Sequence, residues 1–275
     1  MNKLFVGNKP AYMTSTGYLA RLKRKYDRGD CGFSGTLDPF AKGCLIIAFG
    51  QYTKLFRFFK KSQKTYKAVI WIGAKSESLD IENISTITIE NELDIASIKT
   101  NIENLIGEHT YIPPKYSAKW INGKRAYNLA RAGFDVDIKP TSMKVFDAKF
   151  LSYRHPFIKF EATVSEGAYI RSLAQILLER LGTFGTLSYL ERTAEGDFIF
   201  ENEKSLNPID FLDIEENFYI GRFEDFDYGK KMTKDEFKNN RNGIYFIRLP
   251  KHITIIEITD EKVKYLLNKV EISGN

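Results

Sequence analysis

Strand-type and helix-type segments follow one another in this chain without strict β-α-β alternation, and this order limits the possible folds more than any other feature. MKVFDAKFLSY (143–153) and FIKFEATVS (157–165) are neighbouring strand-type segments, whereas YIRSLAQILLERLG (169–182) carries its apolar residues on one side of a helix. Strands and helices mixed in this way favour an α/β (α+β) fold. We therefore predict a mixed, largely antiparallel sheet flanked by helices.

Other segments support this interpretation. CLIIAFG (44–50) is a continuous apolar run of strand length, and TYKAVIWIG (65–73) is rich in β-branched and aromatic residues. Residues 95–107 repeat isoleucine and leucine at helical spacing. Two further strands and one further helix are therefore expected.

Two stretches depart from this pattern. Residues 110–134 combine Pro-Pro, an Asn-Gly turn and five basic residues with five aromatic residues, which predicts a protruding loop-and-helix element. After about Pro208 the composition turns acidic, and short strand-type runs then return. We therefore expect a main domain over 1–210, which includes the 110–134 segment, and a small β-rich C-terminal module over 211–275.

Length and composition exclude several classes of protein. With 275 residues, 43% of them hydrophobic, the chain can bury a substantial core. No run approaches the roughly 20 apolar residues that span a bilayer, and the start, MNKLFVGNKP, lacks the layout of a signal peptide. A cytoplasmic location without membrane contact is therefore expected. Cys31, Cys44 and three scattered histidines offer no metal-binding spacing, so neither a metal site nor a disulfide is predicted.

Charge is segregated along the chain, although the net charge is only +6. Residues 39–76 contain eight basic side chains and no acid, and residues 110–133 contain five and none. Residues 77–108, by contrast, contain eight acids and one base. A merely solvated lysine-rich surface usually intersperses acids among its lysines. The segregation therefore favours a basic face for a polyanion, with nucleic acid as the preferred partner.

GFSGTLDPFAKG (32–43) places one carboxylate, Asp38, in a turn hemmed in by glycines, a proline and apolar side chains. The glycines permit backbone angles closed to other residues and Pro39 fixes the turn, so the carboxylate is held in place. Taken alone, the loop is better explained by an Asx-turn cap. Arg171 shifts this balance, because it begins an otherwise apolar helix. A desolvated pair with Asp38 would keep the carboxylate ionised at neutral pH.

Two tyrosines extend the candidate site. Tyr66 in KTYKA and Tyr169 in AYIR both lie near lysine or arginine in the sequence. A base or ribose could stack on such a ring while phosphates meet the cations. For either tyrosine taken singly, core packing is the better explanation.

Five motifs then occur in a fixed order over roughly the first 210 residues: N-K-P, G-x-x-G-T-L-D-P-x-A-x-G, K-x-Y, I-P-P-x-Y-S-A-x-x-x-x-G-x-x-A-Y and G-x-Y-I-R. Together they resemble the TruB family of tRNA pseudouridine synthases. The resemblance implies the pseudouridine synthase fold. It also implies conversion of the T-loop uridine of tRNA, conventionally position 55, to pseudouridine without a cofactor or metal.

The resemblance also implies roles for individual residues. Asp38 falls on the catalytic aspartate, the nucleophile that breaks the bond between uracil and ribose, and Arg171 falls on its ion-pair partner. Tyr66 matches the tyrosine that stacks on the flipped base and assists the final proton removal. Tyr169 and Leu190 match residues that line the base pocket. A base inside folded RNA is out of reach, so its extrusion into such a pocket is a physical requirement.

Lys9 belongs to the N-K-P motif beside the site and is included among the residues expected to bind substrate. Phe33 is the main departure from the family pattern, because histidine usually stands five residues before the aspartate. We expect Phe33 to brace the RNA by stacking and apolar contact, without the hydrogen bond that histidine would supply. The C-terminal module is shorter and more acidic than the family's usual RNA-binding PUA domain, which suggests a reduced version of it.

Two other functions stay open at this point. A carboxylate-based glycosidase or nucleosidase would use Asp38 near a ribose, but that chemistry normally requires a second acid, and none is evident nearby in the sequence. A non-catalytic RNA chaperone would need the basic face and not Asp38. A monomer is the default expectation, with the T arm of tRNA as the partner.

Overall fold

A mixed sheet forms the centre of the protein. The structure is a computed structural model and describes residues 2–26, 29–117, 119–121, 123–134 and 138–272. Within these ranges the main sheet has nine strands: β1 (Lys3–Lys9), β2 (Cys31–Ser34), β3 (Lys42–Phe49), β4 (Gln63–Ile72), β5 (Gly107–Tyr111), β6 (Thr141–Arg154), β7 (Phe157–Ser165), β8 (Gly185–Glu195) and β9 (Phe198–Ile199).

Helices and short hairpins surround this sheet. The α-helices are α1 (Ser15–Tyr26), α2 (Ile95–Glu103), α3 (Ala126–Arg131) and α4 (Ile170–Arg180). Short 3₁₀ helices lie at Gly50–Phe58, Ile81–Asn83, Pro208–Phe211, Phe223–Phe226 and Lys234–Glu236. Two small two-stranded sheets pair Ala74–Ser76 with Ile84–Ile87, and Trp120–Ile121 with Lys124–Arg125.

The strand order of the main sheet is β1-β3-β8-β4-β7-β6-β5, with β2 paired to β3 and β9 paired to β8. The contact between β8 and β3 is parallel, and the other pairs of this sheet in the described ranges are antiparallel. The predicted pairing of the segments at 143–153 and 157–165 is present as β6 and β7. The mixed, largely antiparallel sheet flanked by helices is therefore confirmed.

The continuous apolar run of β3 is explained by burial on both faces. Alternate residues of the strand, including Leu45 and Ile47, pack against α1, whereas Cys44 and Ile46 face the 3₁₀ helix at Gly50–Phe58. A larger core lies under α2 and α4 and is built from β4, β6 and β7. The loop that carries Asp38 contributes Leu37, Phe40 and Ala41 to this larger core. The loop is therefore anchored by packing as well as by its turn residues.

Strand β8 is the main element that the hydrophobic pattern does not indicate. It lies in the middle of the sheet, between β3 and β4, yet contains the buried polar side chains Thr186, Arg192 and Glu195. Because polar residues in a strand are expected on a solvated face, sequence reasoning predicted no strand here. Two of these side chains belong to the site described below.

The C-terminal module contains one four-stranded sheet, in the order β10 (Glu215–Glu216), β11 (Gly243–Arg248), β12 (His252–Ile258) and β13 (Val263–Glu271), and the last three correspond to the expected strand-type runs. Phe246, Ile253 and Val270 pack into the same cluster as Leu4 and Leu55 of the main domain. The two parts therefore share a core, and the division at residues 210 and 211 stays a prediction.

The 110–134 segment forms the predicted loop-and-helix element, with α3 as its helix. Ala126 and Leu129 pack with Ile138 in a small cluster of their own. Trp120 and Phe134 are 61% and 64% exposed, which is unusual for large apolar side chains. Asn122, part of the predicted Asn-Gly turn, lies outside the described residues.

Candidate active site

The loop between β2 and β3 holds Asp38 in a defined position. The backbone N–H of Ala41 donates to the Asp38 carbonyl at 3.1 Å, which closes the turn. One residue earlier, the Leu37 N–H donates to the Oγ atom of Ser15 at 3.0 Å, and this buried hydroxyl lies at the start of α1. The Asp38 side chain is 32% exposed. The carboxylate therefore reaches solvent from a loop that is fixed on both sides.

Gly43 closes this loop where only glycine fits. Its φ is +112°, and a Cβ atom would lie 2.2 Å from the backbone oxygen of Arg192 on β8. Any side chain here would force β3 and β8 apart. The glycine that ends the motif is therefore required by the approach of β8.

Arg171 forms the expected ion pair with Asp38. Its Nη2 atom lies 3.0 Å from Oδ2 of Asp38, and the side chain is 3% exposed. Nη2 also donates to the carbonyl of Tyr116 at 2.9 Å, and Nη1 donates to the carbonyl of Ser78 at 2.8 Å. The guanidinium is thus fixed by several acceptors, and the carboxylate is oriented by a rigid partner.

A second acid lies beside the same guanidinium, so the expectation that none is near Asp38 is wrong. Asp80 places Oδ2 at 3.3 Å from Nη1 of Arg171, and its side chain is 4% exposed. Burial raises the pKa of the Asp80 carboxyl, while hydrogen bonding to Ser78 and the charge of Arg171 lower it. Its Oδ1 atom accepts from the Ser78 hydroxyl at 2.6 Å and from the Glu82 N–H at 3.0 Å. Sequence reasoning grouped Asp80 with an acidic segment, because only the fold brings it to Arg171.

Two cavities open on either side of Asp38, and both are lined by Thr36 and Asp38. The acidic cavity, of about 470 Å³, has Asp38, Asp80 and Glu82 as its acids and Arg171 as its base. The basic cavity, of about 400 Å³, has Asp38 as its acid. The bases that line the basic cavity are Lys64, Lys119 and Arg192.

The structure brings both predicted tyrosines to the basic cavity. Tyr66 is 7% exposed, and burial raises the pKa of its phenol, although the neighbouring Arg192 lowers it. The ring of Tyr169 meets that of Tyr111 edge to face at 6.4 Å between centroids. Leu190 lies on β8 directly opposite Ala68 and is buried in the core cluster that includes Tyr66. Tyr66 and Tyr169 give one wall of the cavity an aromatic character, whereas Leu190 lies in the core and not among the lining residues, so its expected contact with the base stays a prediction.

Phe33 lies apart from the two tyrosines, because it lines the acidic cavity together with Asp38. It is half-buried on β2 and packs against the cluster formed by α1 and β3. Asp38 is therefore placed between Phe33 and Tyr116 on the acidic side and the two tyrosines on the basic side.

Lys9 is fully buried at the end of β1. Its Nζ atom donates to the carbonyls of Pro10, Met13 and Pro39, at 2.9, 2.6 and 3.3 Å. Burial lowers the pKa of the Lys9 ammonium to about 8, against the opposing charge of Asp38. With no exposed surface, Lys9 is suited to hold the Asp38 loop from below, and its expected contact with substrate stays a prediction.

The described residues show neither a candidate metal site nor a membrane-spanning helix. No group of three or more histidine, cysteine, aspartate or glutamate side chains in the described ranges could hold a metal ion. None of the described helices is long and apolar enough to cross a membrane.

Comparison with known proteins identifies the class. Residues 23–170 match the family described as TruB family pseudouridylate synthase (N terminal domain). The fold resembles that of a chain in the crystal structure of a Cbf5-Nop10-Gar1 complex, with a TM-score of 0.68 at 16% identity over 99% of this chain and 84% of that chain. Fold and site thus define a pseudouridylate synthase.

Curated relatives narrow this further. The chain is 49% identical over 271 residues to the tRNA pseudouridine synthase B of Campylobacter concisus (strain 13826), covering 98% of this chain and 99% of the relative. It is 49% identical over 270 residues to the tRNA pseudouridine synthase B of a Sulfurovum species, covering 98% of both. The chain belongs to the TruB family.

Proposed function

We propose that this enzyme isomerises uridine to pseudouridine in the T loop of tRNA, with Asp38 as the nucleophile and a flipped-out nucleotide as the substrate. The observation that carries the proposal is the 3.0 Å ion pair of Asp38 with the buried Arg171, at the junction of the two cavities. The names of the curated relatives support tRNA as the substrate.

The chemistry follows from this arrangement. An oxygen of the Asp38 carboxylate attacks C1′ of the ribose, and the bond between C1′ and N1 of uracil breaks with its electron pair on the base. The base then turns, C5 attacks C1′, and the carboxylate leaves. Removal of the C5 proton and protonation of N1 complete an isomerisation with no net gain or loss of atoms. Tyr66, in the wall of the basic cavity, is the candidate that assists removal of the C5 proton.

Much of the catalysis in this scheme comes from holding the carboxylate and the base in the correct positions. Arg171 is held by two backbone carbonyls, so it orients the attacking carboxylate without having to reorganise. Tyr66 and Tyr169 supply the aromatic surfaces that a flipped pyrimidine needs for stacking, and Leu190 is expected to add an apolar contact from the neighbouring core. The acid-free segment at 39–76 also carries exposed lysines, such as Lys54 and Lys60, which are suited to the phosphates of the RNA.

The nucleosidase alternative is weakened by the contacts of the second acid. Asp80 already pairs with Arg171 and accepts hydrogen bonds from the Ser78 hydroxyl and from a backbone N–H. Its side chain is 4% exposed. A general acid for base release would have to reach the leaving group from the cavity. Asp80 is better suited to fix Arg171 than to protonate a leaving base.

The test uses Asp38→Asn, which keeps the shape of the side chain and removes its charge. We expect no detectable pseudouridine in tRNA and an RNA affinity close to that of the wild type. Asp197→Asn is the matched control, because it changes an exposed acid elsewhere in the same chain and should leave turnover intact. Retained isomerisation by Asp38→Asn would contradict the mechanism, and release of free uracil by the wild type would support the nucleosidase instead.

Two further features belong to the proposal. They are action as a monomer, with the site complete within one chain, and a cytoplasmic location. Sedimentation of the enzyme with and without tRNA measures its oligomeric state. A complex containing two copies of the enzyme per RNA would contradict it.

A further inference from the structure

A buried cluster of three charged residues lies in the wall of the basic cavity and has no role in the scheme above. Lys64 Nζ is 3.4 Å from Oε1 of Glu195, and Arg192 Nη2 is 3.1 Å from Oε2 of the same carboxylate. All three side chains are nine-tenths or more buried. Two cations therefore share one anion, and the cluster carries one positive charge in excess.

The register of the sheet explains this cluster. Tyr66 on β4 stands opposite Arg192 on β8, and Lys64 stands opposite Glu195. Residues 64 and 66 lie two apart on one strand and thus point to the same face. That face lines the basic cavity, which therefore receives Lys64, Tyr66 and Arg192 together.

The two cations differ in what they can still bind. Arg192 donates through Nε to the carbonyl of Cys44 at 2.9 Å and through Nη2 to the carbonyl of Gly35 at 3.0 Å. These carbonyls lie at the two ends of the Asp38 loop, so Arg192 closes that loop. Among the described residues, Lys64 has one ion-pair contact, with Glu195. An ammonium has three N–H donors, which leaves Lys64 able to donate to a ligand in the cavity.

We propose that Lys64 is a further catalytic residue, whose ammonium stabilises the negative charge that develops on the uracil ring as its bond to the ribose breaks. The inference rests on the proposed function. The leaving base carries the electron pair of the broken bond, spread over N1 and the two carbonyl oxygens. A fixed cation in a buried site stabilises such a charge far more than water does. The excess positive charge of the cluster is compensated at that step.

A phosphate is the other anion that could meet Lys64. Two observations favour the base. Tyr66 and Tyr169 line the same cavity and suit a planar ring, and Lys64 is 8% exposed, so a phosphate would have to enter the cavity to reach it. Lys119 lines the same cavity and is more exposed, which makes it the better candidate for the RNA backbone.

The experiment compares Lys64→Gln with Lys119→Gln in the full-length enzyme on a tRNA substrate. Single-turnover rates at saturating enzyme, RNA affinity at several salt concentrations and melting temperature are measured for each. For Lys64→Gln we expect the rate to fall roughly 100-fold, the loss typical of one transition-state donor, with affinity within about threefold of wild type. Arg192 and Glu195 remain as a one-to-one pair in this variant, so the fold should survive. Lys119→Gln should instead weaken binding and lower its salt dependence.

A second substrate separates charge stabilisation from a structural role. A tRNA with 5-fluorouridine at the target position releases a more stable anion, because fluorine withdraws electrons from the ring. Loss of the original nucleoside should therefore be slowed less by Lys64→Gln with this substrate than with uridine. Equal slowing with both substrates, full activity of Lys64→Gln, or a loss confined to affinity would each overturn the assignment. If the wild type forms no pseudouridine at all, the proposed function has failed instead.

Discussion

The two cavities beside Asp38 share one carboxylate and differ in nearly everything else. The acidic cavity holds two further acids around Arg171, whereas the basic cavity holds three bases and the tyrosines. On the acidic side, Arg171 is paired with Asp38 and Asp80 at 3.0 and 3.3 Å. On the basic side, the cluster of Lys64, Arg192 and Glu195 has one more cation than anion. The residues of the acidic cavity therefore hold the Asp38 carboxylate in place, whereas the basic cavity has positive charge available for the substrate.

The largest effect is expected from replacing Arg171, which pairs with Asp38 and Asp80 in the acidic cavity. Lysine cannot reproduce contacts to two carboxylates and two carbonyls with one compact ammonium. Misplacement of a reacting group by about 1 Å can lower a rate by roughly 100-fold, and we expect a loss of this size for the single-turnover rate of Arg171→Lys. Arg180→Lys, at the other end of α4, is the matched control because that side chain is exposed.

Stability should be measured alongside these rates. If Arg171→Lys is as active as the wild type, the ion pair does not orient Asp38. If the rate falls only in proportion to the unfolded fraction, the pair serves folding and not catalysis.

The next effect concerns Lys9, which holds the loop shared by both cavities. Its folded pKa is about 8, below the ordinary value of 10.5, because burial disfavours the charged form. Below pH 8 both folded and unfolded states are protonated, and the folded state bears the cost of the buried charge. Between pH 8 and 10.5 the folded state releases its proton first, so this cost is relieved as pH rises.

The free energy of unfolding of the wild type, relative to that of Lys9→Met, should therefore rise by up to about 3 kcal/mol between pH 8 and 10.5. Denaturant titrations at several pH values measure this difference. Lys23→Met, which removes an exposed lysine of α1, should follow the wild-type curve. A wild-type advantage that shrinks over this range would contradict the buried, destabilised ammonium.

A smaller effect is expected from Phe33, which lines the acidic cavity. Stacking on a base contributes roughly 1 to 3 kcal/mol, so Phe33→Ala should lose about tenfold in activity. Phe33→His should lose less, since imidazole also stacks. We expect the loss mainly in productive capture of the RNA, which single-turnover rates at varied enzyme concentration can resolve.

Packing is the competing explanation of Phe33, because its ring also contacts the cluster of α1 and β3. Melting temperatures of both variants decide between the two. Unfolding of both variants in step with their lost activity would show that Phe33 only holds the loop.

How much of this site is predictable from sequence depends on the kind of contact. Asp38, Tyr66 and Arg171 stand in recognisable motifs, and the pairing of Asp38 with Arg171 follows from an arginine that begins an apolar helix. Asp80 was missed because its partner is 91 residues away and its own segment is simply acidic. Periodicity carries no information about such a contact.

The charged residues of β8 beside the basic cavity were not predicted, for a different reason. Arg192 and Glu195 are buried polar residues in β8, and a strand with that composition has no apolar pattern to reveal it. Their burial depends on pairing with each other and with Lys64 across the sheet. Only the register of β4 and β8, which sets Arg192 opposite Tyr66 and Glu195 opposite Lys64, shows why these residues matter.

The smallest expected effect concerns the 110–134 segment, which touches both cavities. Tyr116 and Ser117 line the acidic cavity, while Pro113 and Lys119 line the basic one. The segment is joined to the site by Arg171, which donates to the Tyr116 carbonyl, and Tyr111 anchors its start in the main core. Among the described residues of its later part, Ala126 and Leu129 belong to a small separate cluster, so this part should open more easily than the sheet.

We therefore expect the 110–134 segment to close over the T loop, so that its amide hydrogen exchange slows when tRNA is added. The amides of β12 in the C-terminal sheet provide the control, since this strand is already largely buried in the free enzyme. Slowing limited to residues 111–117 would mean that RNA orders the loop next to Arg171 and leaves α3 free. Equal exchange with and without RNA across the whole segment would argue against closure over the T loop. In that case the two cavities would already have their final shape in the free enzyme, and the difference between their walls would not depend on the bound RNA.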